Sequence, residues 1–114
     1  MERLLGILRK LESIPSPSGM TGEAIAFLEE TAAEAGLASS LTNKGGLLAG
    51  CLEEPELMVA GHVDTLGAMV SGIRPDGSLS FSCIGSPLLP SFEAEYATVF
   101  TSTGATFRGT LLLD

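Results

Sequence analysis

Leu57-Met58-Val59-Ala60-Gly61-His62-Val63-Asp64 joins a short, unbroken apolar run to the only histidine of the chain. Apolar residues without alternation predict a strand covered on both faces, as inside a parallel α/β sheet. His62 and Asp64 stand at the carboxyl end of that strand, where open α/β sheets collect their ligands. Side chains of an extended segment alternate in direction. His62 and Asp64 therefore face one side, about 6 to 7 Å apart along the chain. A carboxylate so placed orients the imidazole, or supports electrostatically a cation that the imidazole binds. Taken alone, such a pair at a strand end is more often a structural contact than a metal site.

Upstream of this run the pattern is helical. Leu4, Leu5, Ile7, Leu8 and Leu11 fall on one stripe over residues 2–13, and Pro15-Ser16-Pro17-Ser18-Gly19 stops that helix. Thr21 is the expected N-cap of a second helix reaching about Ala35, with Ala24, Ile25, Phe27, Leu28, Ala32 and Ala35 on its apolar face and Gly36 as its stop. Strands are expected over 37–41 and 47–52, divided by the turn Asn43-Lys44-Gly45-Gly46. Past residue 67 the texture turns to β: a hairpin from Ala68–Ile73 and Leu79–Ile84 around Pro75-Asp76-Gly77, then strands near 96–101 and 106–113.

Bulk composition narrows the function. The 114 residues are 45% hydrophobic with one Tyr and no Trp, which argues against disorder and predicts an aliphatic core. Fourteen acidic against six basic residues give a net charge of −8, which repels phosphate backbones and argues against nucleic-acid binding. No apolar run approaches the roughly 20 residues that span a bilayer, and no secretion signal opens the chain, so no membrane partner and a cytoplasmic location are the expectations. Cys51 and Cys83 lie in apolar, strand-like surroundings and read as buried thiols; neither has zinc-ligand spacing.

The order of helix, Ile14-Pro15-Ser16-Pro17-Ser18-Gly19, helix, Asn43-Lys44-Gly45-Gly46, apolar strand and His62-Val63-Asp64 resembles the opening of the co-catalytic metallopeptidases of the M20 and M42 families. The continuation resembles M42. His62-Val63-Asp64-Thr65-Leu66-Gly67-Ala68-Met69-Val70 leads to Ile73, Asp76-Gly77, Leu79, Phe81 and Ile84-Gly85, similar to His-x-Asp-x-x-Gly-x-x-Val followed by Ile, Asp-Gly-x-Leu-x-Phe and Ile-Gly-Gly. Thr65 stands where M42 members commonly carry Glu, and Ser86 replaces the second Gly.

The resemblance implies the start of an α/β aminopeptidase catalytic domain, residues 1–67, running into part of an inserted, β-barrel-like dimerisation domain, residues 68–114. It implies His62 as a metal ligand and Asp64 as its catalytic supporting residue. It also implies two divalent metal ions, zinc or cobalt, peptide N-termini as substrate, and a homo-oligomer formed through the β part. The other acidic ligands, the general-base Glu and a second His of the family pattern have no counterpart after Asp64; Glu93 and Glu95 lack the expected surroundings. One imidazole and one carboxylate cannot fill a zinc shell, so the chain alone is expected to be inactive, as a truncated or split copy of a longer peptidase. An M20-type amidohydrolase segment and a non-catalytic assembly module are the alternatives. The M20 reading requires more α/β chain before any inserted domain. Ser16, Ser18 and Gly19 read as turn chemistry, Asn43–Gly46 lacks phosphate-loop spacing, Met58 and Met69 fit strand cores, and Glu29, Glu30 and Glu34 mark the wet face of the second helix.

Overall fold

A computed structural model of the chain describes residues 1–113. The first helix, α1 (Glu2–Glu12), carries Glu2 in its first turn and Arg9 and Lys10 in its last, each complementing the helix dipole. Its stripe is only partly covered. Ile7 and Leu11 are half-buried, while Leu4, Leu5 and Leu8 remain exposed. The second helix, α2 (Gly22–Glu34), buries Ala24 and Ala32 and half-buries Ile25, Phe27 and Leu28, the face the periodicity predicts; Ala35 is exposed. Arg3 and Glu34 form a long, exposed ion pair between the helices at 3.9 Å.

The ends of α2 differ. Gly36 N–H reaches the Ala33 carbonyl at 2.9 Å and Leu37 N–H the Ala32 carbonyl at 3.0 Å, the paired bonds of a Schellman stop. Thr21 occupies the N-cap position, but its hydroxyl makes no capping bond. Its backbone is helical (φ −93°, ψ 0°), whereas a capping side chain needs the extended backbone that swings its oxygen over the free amides.

β1 (Ser39–Leu41) and β2 (Leu47–Ala49) pair antiparallel, with Ser40 opposite Leu48, and pack on α2. The Thr42–Gly46 turn is tied by Thr42 N–H to the Gly46 carbonyl (2.8 Å) and Gly46 N–H to the Thr42 hydroxyl (2.9 Å). β3 (Gly67–Ile73) and β4 (Leu79–Ile84) form the expected hairpin, with a bulge between Val70 and Gly72. A short 3₁₀ turn, Leu89–Phe92, leads into β5 (Tyr96–Phe100), which pairs with β6 (Thr106–Thr110). Arg108 lies over the Tyr96 ring, 3.8 Å from its centroid.

Among the described residues, the three ladders stay separate two-stranded sheets, so the α/β character is borne out and no barrel closes. The strand expected at Leu57–Gly61 is absent, and Leu57 and Val59 are 81% and 88% exposed. A parallel-sheet strand draws its hydrogen bonds from neighbours on both sides, and none of the described residues lies beside this run as a strand. Met58 lies in this run and is exposed with it. Met69 and Cys83 are exposed although β3 and β4 pair, because no other element among the described residues packs on that hairpin. Cys51 is exposed just past β2, so the expectations of strand-core methionines and buried thiols are not met. The radius of gyration is 17.6 Å, against about 13 Å for a compact domain of this length. The accessible surface is 9065 Å², against roughly 5,900 Å² for a folded monomer of this mass. No helix among the described residues is long and apolar enough to cross a membrane.

The β3–β4 turn is held by Asp76, whose Oδ1 accepts the Ser78 N–H at 2.9 Å and the Ser78 hydroxyl at 2.8 Å. These bonds favour the carboxylate and hold Asp76 below its ordinary value. A depressed carboxyl supports the fold above its ordinary value, and that support is lost as pH falls through the lowered one. In an NMR titration Asp76 is expected to titrate below the ordinary aspartate value, with the Ser78 amide shift following the same midpoint.

Candidate metallopeptidase site

The site is built by two extended segments lying side by side. Pro15 and Pro17 lack N–H groups, so the Ile14–Gly19 segment meets its neighbour mainly through Ser16. The Ser16 carbonyl accepts the Thr65 N–H at 2.8 Å, and its hydroxyl, 2% exposed, donates to the Val63 carbonyl at 2.8 Å. Pro17 and Thr65 form an isolated parallel bridge. Residue 67 must then be small, because a Cβ there falls 2.6 Å from Pro17 Cβ.

Beyond this clamp the Pro17 carbonyl accepts the Met20 N–H at 2.8 Å, and Gly19 has φ +92°, the left-handed backbone a type II turn requires at its third position. The turn brings the Ser18 hydroxyl to Asp64 Oδ2 at 2.5 Å. Asp64 Oδ1 lies 2.9 Å from His62 Nδ1, and the Asp64 carbonyl lies 3.0 Å from the same nitrogen. Both oxygens are acceptors when the carboxyl is ionised, so Nδ1 carries the proton and Nε2 is left as the acceptor nitrogen of an exposed ring. The expected same-side placement of His62 and Asp64 is thus realised as a direct contact. The Ser18 hydroxyl first, and His62 second, hold the Asp64 carboxyl below its ordinary value.

The His62 side chain is 85% exposed, and Asp64 is 42% exposed. Both line a groove of roughly 610 Å³ whose apolar wall includes Ile25, Leu28, Leu37 and Leu47. An imidazole with Nδ1 committed to a carboxylate and Nε2 open is the usual dress of a histidine metal ligand. The donor set fits one such ligand and its orienter, and goes no further. Among the described residues no three His, Cys, Asp or Glu side chains cluster, and the Glu93 carboxylate accepts the Leu113 N–H at 2.8 Å.

Ser16 and Ser18, read from sequence as turn chemistry, both reach the His-x-Asp segment. The signal was the alternation Pro15-Ser16-Pro17-Ser18. Prolines at every second position keep a segment extended, and period two puts both serines on one face, as it does His62 and Asp64.

The M42 glutamyl aminopeptidase family model matches residues 45–114, which include His62, Asp64 and both downstream hairpins; the chain belongs to this family. The chain is 37% identical over 116 aligned residues to "Putative aminopeptidase YhfE" of Bacillus subtilis (strain 168), covering 99% of this chain and 34% of that protein. It is 33% identical over 103 residues to a protein named glutamyl aminopeptidase of Lactococcus lactis subsp. cremoris (strain MG1363), covering 85% of this chain and 28% of that one. The chain spans about a third of the length of these relatives. A hairpin starting at Gly67 agrees with M42 over the M20-type alternative.

Replacing Gly67 by Ala is expected to force Pro17 away from Thr65, an overpacking that costs about 1–3 kcal/mol. Faster hydrogen exchange of the Thr65 amide, with the Ser78 amide unchanged, is the readout.

Proposed function

We propose that this chain supplies the His-x-Asp arm of an aminopeptidase that removes N-terminal residues from peptides, with His62 as a metal ligand and Asp64 as its orienter. The observation that supports this most directly is the His62–Asp64 contact, which leaves Nε2 open on a chain of the M42 family. Residues 1–67 belong to the catalytic domain in this reading, and 68–114 to the inserted β domain through which copies of the enzyme assemble. Two divalent ions, zinc or cobalt, would polarise the scissile carbonyl and lower the pKa of water when bound. This chain's own part is narrower. His62 offers one neutral nitrogen, Asp64 fixes its tautomer and supports its basicity, and Ser16 holds the backbone on either side of Asp64 in place.

The remaining ligands and the general base would come from the other two thirds of an enzyme of the relatives' length. A non-catalytic assembly module is the second reading, favoured by the extensive apolar surface, including Tyr96, Phe100 and Phe107.

The test is a chimera in which these 114 residues replace the aligned third of the Bacillus subtilis relative. Hydrolysis of amino-acid anilides is expected, falling about 10- to 100-fold in Asp64→Ala and further in His62→Ala. A folded chimera without turnover overturns the aminopeptidase reading. The isolated chain, loaded with zinc or cobalt, is expected to show no turnover; turnover there overturns its incompleteness. In sedimentation the isolated chain is expected to self-associate, and a monodisperse, cooperatively melting monomer would contradict assembly through its exposed faces.

A further inference from the structure

We propose that Ser18 is a positioning residue that fixes the Asp64 carboxylate and, through it, the ring orientation and tautomer of His62; this rests on the reading of His62 as the ligand arm. A carboxylate held at one oxygen turns easily, because the terminal torsion of Asp is broad. Asp64 is held at both: Oδ1 by His62 and Oδ2 by Ser18. The two contacts are of different kinds. His62 is two residues away and moves with Asp64, whereas Ser18 is 46 residues away and is anchored on a separate segment.

That anchoring comes from both sides of Ser18. The Ser16 bonds to Val63 and Thr65 precede it, and the Pro17–Met20 turn follows it and leads into α2. Ser18 is therefore a fixed point against which a partly exposed carboxylate is set. Ser16 already fastens the two backbones, so the bond from Ser18 acts on the side chain of Asp64. The fixed carboxylate then selects the Nδ1–H form of His62 and keeps Nε2 bare, the state a divalent cation needs.

His62 is the only histidine of the chain, so one set of imidazole nitrogen signals reports the tautomer without assignment. The experiment is nitrogen-15 NMR of the complete 114-residue chain, metal-free, about two pH units above the ordinary imidazole value. The wild-type ring is expected to be chiefly Nδ1–H. Ser18→Ala is expected to lower the Nδ1–H to Nε2–H ratio about fivefold, the worth of one hydrogen bond, with Thr65 amide protection retained. Ser18→Thr keeps the hydroxyl and is expected to restore the ratio. A wild-type ring that is chiefly Nε2–H overturns the proposal, as does an unchanged ratio in Ser18→Ala. Loss of Thr65 protection in Ser18→Ala overturns it too, since Ser18 would then merely hold the loop. No substrate or metal enters this readout, so failure of the hydrolysis assay leaves it standing, and its own failure leaves the aminopeptidase reading intact.

Discussion

Everything that bears on the site depends on how two proline-interrupted residues' worth of backbone meet the Val63–Thr65 segment. A strand edge normally offers a donor and an acceptor at alternate residues. Pro15 and Pro17 offer no donors, and the Ser16 side chain adds one, a hydroxyl that reaches the Val63 carbonyl. One serine thereby supplies both a donor and an acceptor to the neighbouring segment, one on each side of Asp64. The arrangement admits one register, because sliding by a residue would set a proline against a carbonyl that needs a donor.

The opposite condition holds at Leu57–Gly61. This is the most apolar short run of the chain next to its only histidine, and it lies open to solvent without a ladder. Burial of this kind of run is worth roughly 25 cal/mol per Å² of apolar area removed from water. The driving force for covering it is large and is not used among the described residues. An excess surface of about 3,000 Å² over a compact monomer is of the size that permanent interfaces bury. The α/β part and the hairpins thus resemble components whose faces are shaped for more protein.

Local features were legible in the sequence because local rules govern them. The stripe of α2 and its glycine stop, the Asn43–Gly46 turn and the β3–β4 hairpin all follow from neighbours within a few residues. Two kinds of feature were not. The apolar run at Leu57 has the right composition for a buried strand, yet burial depends on what lies beside it, which no local pattern contains. Ser18 contacts Asp64 across 46 residues, and a serine beside proline and glycine looks the same whether or not a carboxylate waits opposite. His62 and Asp64 were legible as a pair because their spacing alone brings them together. The role of the serines was hidden because it depends on the clamp.

The clamp also constrains the order in which the molecule comes together. The Ser16–Val63 bond closes a loop of 47 residues, which in a flexible chain costs about 3 kcal/mol of entropy. Helix α2 and the β1–β2 hairpin both lie inside that loop, and each forms from near neighbours. Once they are folded, the stretch still to be closed is far shorter than its residue count, and the entropy of bringing Ser16 to Val63 falls accordingly. Their contribution to the site is therefore to lower the entropy of bringing Ser16 and Ser18 to the His62–Asp64 segment.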